Sequence, residues 1–290
     1  MSGERARLDV AKTYKLYIGG KFPRTESGRY ASFERGDGAG AVNVCRASRK
    51  DFRNAVVAAR GAVAGRSAAS AYLRGQIIYR SAEMLEGRAA QFASELHAEG
   101  VAEAAAAAQV EASVDRLIHY AGWTDKYTQV LASVNPVASS HFNFSLPEPT
   151  GVVAAVLPER PGLLGLVSVI VPAIVGGNTV VALASESHPL SAVSFAEVLH
   201  ASDVPGGVVN LLTGQRDELL SHMAGHMDVN ALALCDVSAD AATAAEKAAA
   251  ENFKRVRRFD DVDWSADASA SPWHIEAFQE IKTTWHPVAN

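Results

Sequence analysis

Cysteine is scarce in this 290-residue chain, which carries only Cys45 and Cys235, far apart and outside any CxxC pair. A disulfide framework and a thiolate zinc site are thereby excluded, and a reducing, cytoplasmic setting is expected. Runs of five like charges are absent, and 27 Lys and Arg stand against 32 Asp and Glu, a net charge of −5. That balance leaves no electrostatic footprint for nucleic acid or an anionic membrane surface. Long apolar runs are missing too. The longest, Gly162–Gly177, is too short for a membrane span and contains Pro172, so a buried core helix is expected there. The opening MSGERARLDV lacks the apolar stretch of a secretory signal, so export by that route is not expected. No Gly-x-Ser-x-Gly elbow occurs, which leaves a serine hydrolase without its nucleophile.

What is present is an apolar content of 48%, enough for a sizeable core without metals or disulfides. Residues 15–47 carry short alternating apolar runs around glycine-rich turns and predict a hairpin, with Gly36–Gly40 (GDGAG) as its turn. A dinucleotide loop would need a helix after those glycines, whereas the strand-like AVNVC follows. From Ser48, a candidate N-cap, the spacing of Phe52, Val56, Ala59 and Val63 predicts a helix with one apolar face. Residues 70–96 and 101–132, rich in Ala, Leu and Glu, predict two more.

Within 136–150, His141, Asn143 and Ser145 alternate with Phe142 and Phe144, a strand too short to stand alone. From Gly151 a strand-then-helix unit repeats: VVAAVL, a helix near 162–175, TVVAL, a helix near 190–201, GVVNLL, a helix near 215–224, and ALALC. Continuous apolar strands separated by helices predict an α/β fold with a Rossmann-like, doubly wound parallel sheet, which binds ligands at the carboxyl ends of its strands. The mixed KRVRRFDDVDW of 254–264 is expected to be a solvated loop, and SADASAS of 265–271 a flexible linker. Ile281, Thr283 and Trp285 then alternate with polar neighbours as a second lone strand. His222 and His226, four apart, have the spacing of zinc ligands but lack the glutamate of HExxH, so solvated histidines and no metal are expected.

The order of RGQIIYRSAEMLEGR, HYAGWTDK, EPTGVVAAVLP, GGNTVVAL, VPGGVVNLLTG and DVNALAL resembles the aldehyde dehydrogenase superfamily over residues 15–258. The resemblance implies an NAD-binding-type domain from 1–135 and 151–258, and an oligomerisation arm from 136–150 and 276–290. It also implies a linker, 259–275, where the family has its catalytic domain with a thiolate nucleophile. The chain looks like a free-standing version of the degenerate second copy that some family members carry.

At the positions where the family does chemistry, this sequence departs from the pattern. Its Trp-Asn-Phe-Pro loop is Glu159-Arg160-Pro161-Gly162, so Arg160 replaces the amide that serves the oxyanion. Its Lys-Pro-Ser-Glu, which holds the adenosine ribose, is Leu183-Ala184-Ser185-Glu186, leaving Ser185 and Glu186 as vestigial contacts. Its pyrophosphate-binding Gly-Ser aligns with Asp236-Val237, where Asp236 is expected to cap the following helix and repel a phosphate. The general base aligns with Phe259, and Cys235 falls at the end of a buried strand. No catalytic residue is assigned, and NAD(P) binding is expected to be weak or lost.

Phe142, Phe144, Ile281, Thr283 and Trp285 then remain as interface residues, because an exposed strand edge without a partner is an aggregation liability. The expected partner is a full-length aldehyde dehydrogenase subunit in a hetero-oligomer, which this chain stabilises or regulates. The alternatives are an NAD(P)-dependent aldehyde oxidoreductase completed by a partner, and a nucleotide or small-ligand sensor.

Overall fold

The computed structural model describes residues 12–288. The N-terminal hairpin forms as expected: β1 (Tyr30–Glu34) pairs antiparallel with β2 (Ala41–Cys45), and the Arg35 N–H donates to the Gly40 carbonyl across the glycine turn. Helix α1 (Arg49–Ala68) starts in a capping box, in which the Ser48 hydroxyl accepts from the Asp51 N–H and the Asp51 carboxylate accepts from the Ser48 N–H. Phe52, Val56 and Ala59 are buried on one face, as their spacing predicts.

The two long helices expected next are each divided. Residues 70–96 form α2 (Ala71–Glu86) and α3 (Ala89–Ala98), separated at Gly87 and Arg88, where Arg88 turns its guanidinium to Glu197. Residues 101–132 form α4 (Glu103–Ala121) and the short α5 (Tyr127–Leu131). There the Thr124 hydroxyl takes the Ala121 carbonyl, offering the backbone an alternative to helix. Propensity alone does not register such a local competitor.

Strands β3 (Ser133–Asn135) and β4 (His141–Pro149) precede the α/β repeat. The repeat runs β5 (Val152–Val156), α6 (Gly162–Val175), β6 (Thr179–Leu183), α7 (Pro189–Ala201), β7 (Val209–Leu212), α8 (Arg216–Gly225), β8 (Ala231–Cys235), α9 (Ala239–Ala250) and β9 (Arg255–Phe259). The sheet is parallel throughout, in the order β7-β6-β5-β8-β9. Two apolar layers cover it. One holds α6 and α7 with α2, α3 and α4, and the other holds α1, α8 and α9. Every residue of α6 is buried, because that helix lies between the sheet and α4 and has no face left for water.

The fifth strand corrects part of the expectation for 254–264, since Arg255–Phe259 (RVRRF) is an edge strand rather than a solvated loop. It pairs with β8 on one side only, and its arginines reach the solvent while Phe259 is buried. Charge on an edge strand blocks further pairing, so the composition that reads as loop is compatible with strand here. The opposite edge is covered by Tyr17, whose N–H and carbonyl both pair with Leu211.

The expected flexible linker is also ordered. Trp264 is 2% exposed, and Arg116 donates to the carbonyls of Trp264 and Ser269 at 3.0 and 3.1 Å. Tyr120 donates to the Ser271 carbonyl at 3.0 Å. Small residues let the chain lie close against α4, and distant donors fix it there. Helix α10 (Trp273–Glu276) then leads into β10 (Gln279–Pro287). The two strands that seemed to lack partners pair with each other: β10 joins β4 antiparallel along its whole length, and β3 completes a three-stranded arm.

Close approach makes one glycine demanding. Gly207 has φ +90°, and a Cβ there would meet the Ala58 carbonyl oxygen at 2.5 Å, whereas Gly38, at φ +77°, has open space around it. Gly207→Ala is expected to cost about 2 kcal/mol or more and Gly38→Ala roughly half of that, as urea midpoints would show.

Candidate cofactor crevice

The strand order reverses between β5 and β8, which places the expected ligand crevice beyond their carboxyl ends. Arg216, the first residue of α8, extends its side chain across that gap. Its guanidinium donates to the carbonyl of Leu157 after β5, and to those of Cys235 and Asp236 at the end of β8 at 3.4 and 3.2 Å. It also pairs with the Glu159 carboxylate at 2.8 Å.

Glu159 is the centre of a second set of bonds. Its carboxylate accepts from the hydroxyls of Ser185 and Ser187, each at 2.8 Å, and from the N–H groups of Glu186 and Ser187, each at 3.2 Å. Burial alone would raise the Glu159 pKa, but Arg216 and these donors more than offset it and hold the carboxyl below its ordinary range. His188, buried behind them, lies with Nδ1 3.0 Å from the Glu159 carbonyl oxygen, and desolvation lowers its pKa.

Asp236 has φ 51°, a left-handed conformation natural to glycine and tolerated by Asp. Its carboxylate accepts the Glu159 N–H at 2.8 Å, reaching from β8 back to the loop after β5. It is not the N-cap expected from the sequence. Ser238 caps α9 by accepting the Ala241 N–H, since only a residue directly before the helix can reach that donor. Val237 is half-buried against the apolar layer beneath.

The other anticipated positions are spread around this network. Leu183 ends β6 and is buried. Glu186 is exposed, and its carboxylate accepts the Arg216 N–H at 2.7 Å, at the start of α8. Arg160 is exposed, follows Glu159 in the same loop and joins Pro161 through a cis peptide bond. Phe259 is buried with its ring 5.5 Å from Trp264 and 5.4 Å from His274, so its place is taken up by packing. Cys235 is buried, and burial raises its thiol pKa well above the ordinary value; Cys45 is buried as well.

His222 and His226 do not share a helix face, because α8 ends at Gly225; the His226 ring instead lies edge-on to Phe52. Among the described residues no group of three metal-ligating side chains occurs, and no helix is long and apolar enough to cross a membrane.

The sequence pointed to Ser185, Glu186 and Asp236 but not to the pair that joins them, Glu159 and Arg216. The only signal was a carboxylate in the loop after the first strand of the repeat and an arginine opening the helix after the third. Nothing local says that the two meet.

On the arm, residues paired in register share a face. Phe142, Phe144 and Leu146, with Val134 opposite Phe144, form one apolar face. Asn143, Ser145, Thr283, Ile281 and Trp285 lie on the other, where the Ser145 and Thr283 hydroxyls are 2.8 Å apart. Phe142, Ile281 and Trp285 are 48%, 49% and 57% exposed.

Fold and crevice together define a doubly wound, dinucleotide-type α/β domain bearing a separate β arm. A sequence profile of the aldehyde dehydrogenase family matches residues 22–257, and the chain belongs to that family. It is 31% identical over 244 residues to an aldehyde dehydrogenase of Aspergillus niger, covering 83% of this chain and 48% of that protein. It is 30% identical to the cytosolic 10-formyltetrahydrofolate dehydrogenase of Mus musculus, covering 77% of this chain and 25% of that one. The structure of an aldehyde dehydrogenase from Bacillus cereus in complex with NAD+ superimposes with a TM-score of 0.80 at 25% identity, over 86% of this chain and 51% of that one. The chain thus spans a quarter to about half of the length of its relatives.

Proposed function

We propose that this chain is a non-catalytic, aldehyde dehydrogenase-like subunit that docks through its β arm on a full-length aldehyde dehydrogenase and stabilises or regulates it. The observation that carries the reading is the crevice between β5 and β8, which the Glu159–Arg216 pair bridges. The residues at the positions the family resemblance assigns to a dinucleotide do not suit one: Asp236 carries an anion where the resemblance puts a pyrophosphate, and Leu183 carries no cation where it puts the ribose. Two buried, unpaired thiols suit a reducing compartment and supply no accessible nucleophile. The arm supplies the contact surface, with large apolar side chains exposed on both faces and, among the described residues, β10 as an edge strand of its sheet.

The test is co-expression with a full-length aldehyde dehydrogenase from the same genome, read by light scattering, together with NAD titration of this chain alone. A mixed complex of defined mass is expected, lost in the exposed double variant Phe142→Glu with Trp285→Glu, and no NAD binding below about millimolar concentration. Two monodisperse species that never associate would overturn the subunit reading. Micromolar NAD affinity would overturn the loss of the cofactor and favour an oxidoreductase completed in trans.

A further inference from the structure

Helix α2 turns Tyr72, Gln76, Tyr79, Glu83 and Glu86 outward as one stripe of its surface. Helix α4 runs antiparallel beside it, since Gly75 lies against Ala121 and Thr124 while Glu86 lies near Val110. The two helices approach closely at Gly75, where a Cβ would meet Thr124 Oγ1 at 2.7 Å. A groove follows their line of contact. Its wider end, about 970 Å³, is lined by Tyr72, Tyr79, Ile118 and Gly122, with Asp203 and Pro205 of the turn after α7 on the far side. Past Glu83 it continues as a narrower space of about 290 Å³, lined by Glu86, Glu111 and small residues such as Ala89, Ala93 and Ala107.

Large apolar side chains on this surface are left in water: Tyr72 is 74% exposed, Tyr79 51% and Ile118 43%. A cluster of that kind with a polar rim marks an interaction surface. The charge of the rim is one-sided. Its cations are already paired, Arg80 with Asp203 at 3.4 Å and Lys126 with Asp125 at 3.1 Å. The carboxylates of Glu83, Glu86, Glu111 and Asp115 are exposed and enter none of the hydrogen bonds or ion pairs among the described residues.

The free carboxylates stand on both walls. Glu83 and Glu86 are three residues apart on α2, and Glu111 and Asp115 four apart on α4, in line with Ile118, so each pair shares a helix face. Like charges at that spacing destabilise a helix slightly, so neither pair serves the fold. From Tyr72 to Glu86 the wall of α2 measures about 21 Å, the length of roughly four helical turns.

We propose that this groove docks a basic amphipathic helix of a partner protein, with its apolar stripe on Tyr72, Tyr79 and Ile118 and its lysines or arginines against the four free carboxylates. A groove between two helices takes an apolar stripe of i, i+3, i+4 and i+7 anchors, and exposed tyrosines give such anchors a large contact area at low entropic cost. Carboxylates on both walls attract a basic helix and reject an acidic one. The surface shares no residue with the arm or the crevice, so the proposal holds whether or not the chain docks through its arm.

The probe is a labelled helical peptide of about 18 residues, with leucines at i, i+3, i+4 and i+7 spacing and lysines on the flanks, titrated into the whole chain at physiological salt and read by fluorescence anisotropy. One comparison peptide carries glutamate for every lysine, and another keeps the composition but spreads the leucines around the helix. Saturable one-to-one binding is expected, at least tenfold tighter than either comparison. Glu83→Lys with Asp115→Lys is expected to weaken it at least tenfold, and Tyr72→Ser with Tyr79→Ser at least fivefold, with thermal midpoints unchanged because all four residues are exposed. Asp217→Lys with Glu251→Lys, the same change of charge at exposed sites away from the groove, is expected to leave binding as it is. Absence of saturable binding would overturn the proposal. So would equal binding of the spread-leucine peptide, or equal losses in the groove and control charge variants, which would reduce the effect to net charge.

Discussion

Arg216→Ala is expected to destabilise the chain by about 3 kcal/mol at neutral pH, because removing one partner of a largely buried pair leaves the other charge uncompensated. The Arg216 side chain is 13% exposed and Glu159 30%, so the estimate belongs at the lower end of the range for buried pairs. The substitution also removes a donor from three strand-end carbonyls, those of Leu157, Cys235 and Asp236. Adding Glu159→Gln is expected to recover part of the loss, since it removes the orphaned charge; a double-mutant cycle in urea measures the coupling.

The pH dependence has a definite sign. The folded chain holds Glu159 below the ordinary carboxyl pKa of 4.5, so its contribution is complete above that value and fades as pH falls through the folded pKa. The difference between wild type and Arg216→Ala is therefore expected to shrink in acid. Equal stability of the two proteins at pH 7 would mean that the pair does not hold the crevice together.

Trp264→Ala is expected to cost about 3–4 kcal/mol, the range for emptying a large aromatic site in a core. Its ring packs on Phe259 and lies 5.9 Å from His274, and its carbonyl is one of the acceptors of Arg116. Limited proteolysis is expected to cut within 265–271 much faster in the variant, because the segment loses the anchor that ties it to the body. A flexible tether would give a change of under about 0.5 kcal/mol and no change in cleavage.

His274 adds a signature of the same packing. Burial, helped by Arg257 and Arg116, lowers its pKa to about 4. The unfolded chain takes up this proton near pH 6.5 and the folded one only near pH 4, so stability falls as pH drops between those values. His274→Gln is expected to flatten that part of the stability profile.

How much of this could be read beforehand follows from the range of each interaction. The parallel strands were legible because burial on both faces leaves continuous apolar runs, and Ser48 was legible as a cap because it and Asp51 are three residues apart. The arginine-rich β9 was not, since an edge strand is decided by what lies beside it. In the same way 265–271 has the composition of a linker, and only donors on α4, more than a hundred residues earlier, order it. Asp236 could be singled out from the sequence, but the contact it makes, accepting the Glu159 N–H, depends on a left-handed turn that brings two distant loops together.

The sequence by itself determined the α/β repeat, the buried course of α6, the hairpin turn and the family to which the chain belongs, because each rests on local periodicity or on ordered motifs. Tertiary structure alone decided that Glu159 and Arg216 meet across the crevice, that the two arm strands pair with each other, and that the segment after β9 is held against α4. Those outcomes are contacts between residues far apart in the chain, and their free energy depends on geometry that no local pattern encodes.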